Sequence, residues 1–342
     1  MSGAEILSSS VRADPSLAEA LPQHIMVAGA TGETGRLLVA HLSASGVGHI
    51  TAIVRNPASA VAAELGSLRG VLLVQCGDVA DAYALASAVD TAVAQLGVPH
   101  SFVSCMGIPR NTSKTGVPPG ETYTLASTNL IRAAKRIGVK RYVHMSSGFC
   151  TRPTAVRTVL MNSIRGMTMA YQATIEDIVR TEVASAPGLD YVILRPGGLD
   201  YGGPGDGFQI TQGDTITGGP VRRSRVAEVL AQTLNSAFLP RRHGEEVKGV
   251  SLEVAGDKKG DSKLAGKTNR ALSTQRWETL LGSLRPDPVW ESLASPSKIN
   301  HLAVHRAAVR RFKSGCCVCC LVVVGAIVVG TLASRGVFSP ST

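Results

Sequence analysis

His24-Ile-Met-Val-Ala-Gly29-Ala-Thr-Gly32-Glu-Thr-Gly35-Arg36 is the stretch whose reading decides the fold. It reads as a short buried strand, then three glycines at Gly-x-x-Gly-x-x-Gly spacing, then an amphipathic run beginning at Glu33. Glycines so placed let the backbone turn tightly and come close to a pyrophosphate, and the helix start that follows offers free N–H groups and a positive dipole end. Such a triplet carries weight only between a strand and a helix, which is its setting here.

Outward from this stretch, the 342-residue chain is long enough to bury a large core. Its 44% hydrophobic and 18% charged residues describe a folded protein, and only 4% aromatic content leaves the core to aliphatic side chains. The net charge of +10 is unevenly spread. Residues 1–255 carry 22 Lys/Arg against 20 Asp/Glu, whereas 256–315 carry 12 against 5. The near-neutral folded part argues against nucleic acid as a partner.

Residues 1–22 read as a flexible leader. From Ile25, strand-length apolar runs near 24–28, 49–54, 71–76, 100–105, 140–145, 190–195 and 250–255 alternate with helical patterns near 33–45, 57–66, 80–96, 121–137, 168–185 and 224–237. That alternation predicts βαβ units and a doubly wound parallel sheet over 23–255. Residues 197–222, rich in glycine and without a period, read as a long loop. Residues 256–315 read as a basic linker with one possible short amphipathic helix around Trp277–Leu284. The charge-free run inside 316–334, flanked by Arg310, Arg311 and Lys313, predicts a C-terminal transmembrane helix with the globular domain on the cytosolic side. The expected location is therefore membrane-anchored, at the endoplasmic reticulum or the outer mitochondrial membrane. Cys316, Cys317, Cys319 and Cys320 crowd too closely to surround a tetrahedral metal ion; they read as acylation sites or as inert thiols at the membrane boundary. No metal site is expected.

The strand ends supply candidate binding residues. Arg55 follows the second strand, 20 residues past Gly35 and close to where NAD-binding chains place an acid on the ribose 2′-OH; an Arg there accommodates the 2′-phosphate of NADP. NADP(H) is thus expected over NAD(H). Asp78 ends the third strand, to bond the adenine amino group or to cap the next helix. Gly107 follows the fourth strand, where the backbone would run beside the cofactor. Thr31 and Thr34 lie in the glycine loop and join the cofactor-binding candidates.

With these pieces in view the chain resembles the atypical short-chain dehydrogenases/reductases of the NmrA-like, NAD(P)H-binding kind. The motifs are G-A-T-G-E-T-G-R (29–36), I-V-R-N-P (53–57), G-D-V (77–79), N-L-I-R-A-A-K-R-I-G-V-K-R-Y-V-H-M-S-S (129–147), G-L-D-Y-V-I-L-R-P-G-G-L (188–199) and S-R-V-A (224–227). The resemblance implies a Rossmann-like domain with Gly29, Gly32, Gly35 and Arg55 at the phosphates and Asp78 at the adenine. It also implies Ser146, Ser147, Pro196 and Gly197 near the nicotinamide. Active relatives commonly use Tyr-x-x-x-Lys, the Lys lowering the Tyr pKa so that the phenol can act as an acid. No tyrosine here has Lys four residues on, and Gln172, beside Tyr171, stands about where relatives place that Lys. Ser147 and Tyr171 are the remaining catalytic candidates. Ser147 is a hydrogen-bond donor to the nicotinamide or the cap of the next turn. The expected function is a membrane-tethered NADP(H)-dependent oxidoreductase of a small molecule, similar in chemistry to biliverdin and flavin reductases. The alternative is a non-catalytic NADP(H) sensor or membrane-assembly protein.

Overall fold

A computed structural model describes residues 21–108, 117–200, 207–215, 219–235, 248–256, 274–287 and 299–314. Six strands alternate with helices, as the sequence predicts: β1 (His24–Ala28), α1 (Gly35–Ala44), β2 (His49–Val54), α2 (Ala60–Gly66), β3 (Val71–Gln75), α3 (Ala82–Leu96), β4 (Ser101–Ser104), α4 (Pro119–Ile137) and β5 (Arg141–Met145). Then come α5 (Val156–Ile164), α6 (Thr168–Ala184) and β6 (Asp190–Pro196). Three short strands, β7 (Leu199–Asp200), β8 (Phe208–Thr211) and β9 (Val221–Arg222), precede α7 (Arg223–Thr233) and β10 (Gly249–Gly256). The described chain closes with α8 (Thr274–Gly282) and a helix at 301–314, here α9.

The main sheet has the order β3-β2-β1-β4-β5-β6-β10-β8. All its pairs are parallel except β10 with β8. Successive residues point to opposite faces, so both faces of a covered parallel strand must be apolar. Val27, Val103, Val143 and Val192 join the core beneath α1 and α7. Met26, Phe102, Tyr142 and Tyr191 join the core beneath α3, α4 and α6. Local chemistry sets the helix limits. Asp81 caps α3 by accepting from the backbone N–H groups of Tyr83 and Ala84. Gly138, left-handed at φ +77°, ends α4.

The loop expected over 197–222 contains β7, β8 and β9, and β8 gives the sheet an antiparallel edge. Its two short pairings were too brief to leave a period in the sequence. Part of the stretch read as linker also packs on the domain. Trp277 and Leu281 of α8 are buried in the main core, the Trp277 ring 5.7 Å from Phe208. The Asp287 carboxylate accepts from the Tyr191 hydroxyl at 2.8 Å and from the Ser251 hydroxyl at 2.6 Å. The leader's first twenty residues lie outside the described residues, while Leu21 is buried.

The membrane anchor and the membrane location drawn from it need correction. Among the described residues no helix is long and apolar enough to cross a membrane. The 316–334 run, with Cys316, Cys317, Cys319 and Cys320, lies outside the described residues. The basic flank that suggested an anchor belongs to α9, which is amphipathic. It buries His305, Ala308 and Val309 against the domain and exposes Arg306, Arg310 and Arg311. These arginines form the solvent face of a docked helix, so they give no reading of membrane orientation.

Candidate functional site

The carboxyl ends of β1 to β6 lie along one edge of the sheet, and the chain reverses its winding direction between β1 and β4. In open α/β sheets the crevice at such a reversal is where ligands bind. The glycine loop sits there. Gly29 is left-handed at φ +75°, and a Cβ on it would stand 2.9 Å from the backbone of Cys105 and Met106. A Cβ on Gly35 would stand 2.1 Å from the Gly29 carbonyl oxygen. That oxygen accepts from the Gly32 N–H at 3.0 Å. The loop therefore closes on itself and against β4, leaving its outer side as bare backbone at the start of α1.

Thr34 is the N-cap of α1, is buried, and makes no side-chain cap hydrogen bond; no acidic residue occupies the first turn. Thr31 is half-buried in the loop. Arg36, in that turn, has a buried Nε without a hydrogen-bond partner among the described residues. A buried unpaired guanidinium nitrogen costs about 1–3 kcal/mol or more unless an anion meets it. A tight glycine loop, a helix N-terminus without an acidic first turn and an Arg Nε lacking a partner fit the pyrophosphate of a dinucleotide. Sequence reasoning passed over Arg36; its place directly after the third glycine was the available signal. The Arg223–Glu33 ion pair at 2.8 Å fastens the start of α7 to the same loop.

Arg55 is exposed directly after β2. Asp78 is exposed too, and its carboxylate accepts from the Ala80 N–H at 2.9 Å. The helix cap is Asp81, so the capping alternative for Asp78 resolves into a turn of its own. Asn129 of α4 holds that turn through the carbonyls of Val79 and Ala80. Gly107 follows β4, and a Cβ added there would meet nothing within 4 Å.

Ser146 and Ser147 part ways. The Ser146 hydroxyl turns inward and donates to Glu176 at 2.7 Å. Ser147 is half-buried at the rim and its hydroxyl is uncommitted among the described residues. Backbone bonds hold it from both sides, Ser146 N–H to Leu194 O and Gly148 N–H to Pro196 O, each 2.8 Å. Gly197 is likewise pinned, donating to Val254 O at 2.8 Å. Beyond Ser147, the Asp214 carboxylate accepts from the backbone of Phe149 and Thr151.

Glu176 is fully buried among charges. Its carboxylate accepts from Arg195 Nε at 2.8 Å and Nη2 at 2.6 Å, and from Arg180 at 3.2 Å. Burial opposes its charge, but Arg195, then Arg180 and Ser146, hold the carboxyl well below the usual carboxylate range. Arg195 also reaches Glu253, whose carboxylate accepts from the backbone of Asp214. This network was missed, because Ser146, Glu176, Arg195, Asp214 and Glu253 come from separate elements of the chain.

Tyr171 packs its ring on Gly120 at the start of α4, so closely that a Cβ there would meet it at 2.0 Å. It lines a groove of about 670 Å³ with Glu121, Thr124, Thr174 and the 299–302 segment. None of the glycine loop, Ser147 or Pro196 lines that groove. Gln172 points into the interior and bonds to Tyr123 at 3.3 Å, beside His144. Burial holds the His144 pKa down at about 4, so its ring is neutral at physiological pH. The structure does not bring Tyr171 and Ser147 to one cavity.

The fold and the cradle define a dinucleotide-binding protein of the Rossmann type. The chain belongs to the NAD(P)H-binding family, whose sequence model matches residues 29–237. An uncharacterized chloroplastic protein of Arabidopsis thaliana is 26% identical over 221 residues, covering 61% of this chain and 71% of that protein. Among solved structures, the chain is similar to ChuY, an anaerobillin reductase of Escherichia coli O157:H7 (22% identity, TM-score 0.50, 68% of this chain and 97% of ChuY). It is also similar to a short-chain dehydrogenase/reductase of Veillonella parvula in complex with NADP (16% identity, TM-score 0.50, 72% of this chain and all of that one). At these identities the structural likenesses show the fold alone, and the fold agrees with the resemblance drawn from the motifs.

Gly35→Ala should weaken NADPH binding at least tenfold in a fluorescence titration, since the methyl collides with Gly29 O, whereas Gly107→Ala should leave folding unchanged. Glu176→Ala should lose about 3–5 kcal/mol of unfolding free energy in urea, because two buried arginines lose their partner. In the parent protein, the depressed Glu176 pKa contributes stability above the unfolded-chain value of about 4.3. That contribution should fall away as pH drops below it, and Glu176→Gln should flatten this part of the stability–pH curve.

Proposed function

We propose that the chain is an NADP(H)-dependent oxidoreductase that reduces a small molecule without a tyrosine acid. The observation that carries the reading is the glycine cradle at the sheet's reversal point, with Arg36 unpaired beside it and Arg55 free at the next strand end. When bound, the nicotinamide cofactor supplies or accepts a hydride. The chain's own residues bind and orient it. The α1 N-terminus and Arg36 would hold the pyrophosphate, and Arg55 a 2′-phosphate. Ser147, pinned by the backbone on either side, would donate its hydroxyl at the nicotinamide end. Gln172, neutral and tied to Tyr123, supplies no charge to a phenol, and burial raises the Tyr171 pKa despite the nearby Arg306. The proton that follows the hydride would come from solvent or from the substrate, a route suited to acceptors conjugated enough to take hydride unaided.

The same Gln172 favours a second reading, a protein that binds NADP(H) to report redox state and turns over nothing. A screen of NADPH oxidation with flavins, quinones, carbonyls and linear tetrapyrroles such as anaerobillin separates the two. Turnover with any acceptor above the no-protein rate supports the reductase, and tight NADPH binding with no turnover supports the sensor. In an active assay, Tyr171→Phe should change kcat/KM less than threefold. A hundredfold loss, about 2.7 kcal/mol, would restore the phenol as the acid.

Cofactor choice has its own test. The protein should bind NADPH at least tenfold more tightly than NADH, and Arg55→Ser should remove most of that difference while leaving the NADH affinity unchanged. Equal affinities in the parent protein would contradict the role given to Arg55.

A further inference from the structure

Two helices outside the cofactor site share a surface that the proposed function leaves unused. α5 and α9 pack together through Val159 against Ala308 and Val309, and through Asn162, whose amide contacts the buried His305 ring at 2.8 Å. His301, at the start of α9, bonds Asp177 of α6 at 2.6 Å. The pair is thus a fixed part of the domain.

Its outward face has an unusual composition. Residues 148–167 and 299–314 contain no Asp or Glu. They carry Arg152, Arg157 and Arg165 on the first segment, and Arg306, Arg310, Arg311 and Lys313 on the second, all exposed. Between the cations stand large apolar side chains. Val156, Leu160, Met161 and Ile164 of α5 are 62%, 43%, 36% and 75% exposed. Their i, i+4, i+5, i+8 spacing makes one stripe along the helix. Val304 and Phe312 of α9 are exposed as well. With Ile299, seven of the eleven exposed large hydrophobic residues in the described chain fall on these two segments. Apolar residues concentrated in this way mark an interaction site, whereas scattered ones need no explanation.

We propose that the α5–α9 face is a docking surface for an acidic amphipathic helix of a partner protein. Charge complementarity selects the occupant. A second copy of the same face would set seven cations against seven. An apolar stripe edged by arginines is the complement of a helix with leucine-type residues on one face and carboxylates on its flanks. Arginine with Met and Phe is also the composition enriched at protein interfaces. Nucleic acid would call for polar or stacking aromatic readers between the cations, where aliphatic side chains stand instead. An interfacial lipid helix draws on Trp, Phe and Leu for insertion, and the seven exposed apolar residues of this face include no Trp, one Phe and one Leu.

The test uses the full chain and a fluorescein-labelled helical peptide, with leucines at i, i+3, i+4 and i+7 and glutamates on the remaining faces. A shuffled peptide of the same composition and vesicles of phosphatidylcholine with phosphatidylserine serve as comparisons. The patterned peptide should bind by anisotropy at least tenfold more tightly than the shuffled one, and more weakly as salt rises. Leu160→Ser with Ile164→Ser, and separately Arg310→Glu with Arg311→Glu, should each weaken it at least tenfold. NADPH binding should be unchanged in both variants, which shows that they are folded. Equal binding of the two peptides overturns the proposal, as does vesicle binding without peptide preference. If a variant fails to fold, the two peptides on the parent protein decide the matter.

Discussion

The carboxylate of Glu176, fully buried between Arg195 and Arg180, is the constraint around which the cofactor-facing half of the domain is arranged. Removing a charge from water costs several kcal/mol, and only close partners with good geometry offset that. Here the partners come from different elements: Arg195 from β6, Arg180 from the next turn of the same helix, and the Ser146 hydroxyl from the end of β5. Arg195 passes the constraint to Glu253 of β10, and Glu253 passes it to Thr211 and Asp214. Asp214 then holds the backbone just past Ser147. The position of Ser147 is thus set by a chain of charges that never touches it. Ser146 and Ser147, adjacent and chemically alike, receive opposite tasks, one holding the interior together and the other left available at the rim.

The glycine loop reaches its geometry by steric exclusion. Gly29, Gly32 and Gly35 crowd one carbonyl oxygen, so a side chain at Gly35 would press on the loop's own backbone and one at Gly29 on that of Cys105. This is why the loop was readable from sequence. Its constraints act over seven residues, and the residue type states the constraint. The strands were readable for the same reason, since runs such as His24–Ala28 and Ser101–Ser104 must satisfy two apolar faces at once. Arg55 and Asp78 were legible as strand-end residues, because parallel topology sends all such ends to one edge.

What the sequence concealed is what depends on distance along the chain. Arg195 stands in the sequence only as part of a family motif, and nothing local marks Glu176, until the fold places them together. Nothing local separates Asp214 from any other loop Asp. The C-terminal region misled in a more specific way. Its cations were read along the chain, as the flank of an apolar run, when the helical period divides α9 into a buried side at His305, Ala308 and Val309 and a basic outer side. Trp277 lies in the one short amphipathic pattern that the linker-like stretch of Lys, Ser, Gly and Pro contains, but nothing local says that this helix packs on the core or that Asp287 bonds the sheet.

The position of β10 has a consequence for how the chain is made. It pairs with β6 inside the sheet, yet it begins 53 residues after β6 ends. As the protein leaves the ribosome, the strands up to β6 can assemble in order while β6 remains an open edge. For about 3–10 s, at ordinary synthesis rates, its unpaired backbone and the charge of Arg195 await β10 and Glu253. An open parallel edge invites pairing with other chains. Arginine on that edge, with Glu176 already made and within reach, supplies a charged guard over the interval in which the nascent domain is most exposed to misassembly.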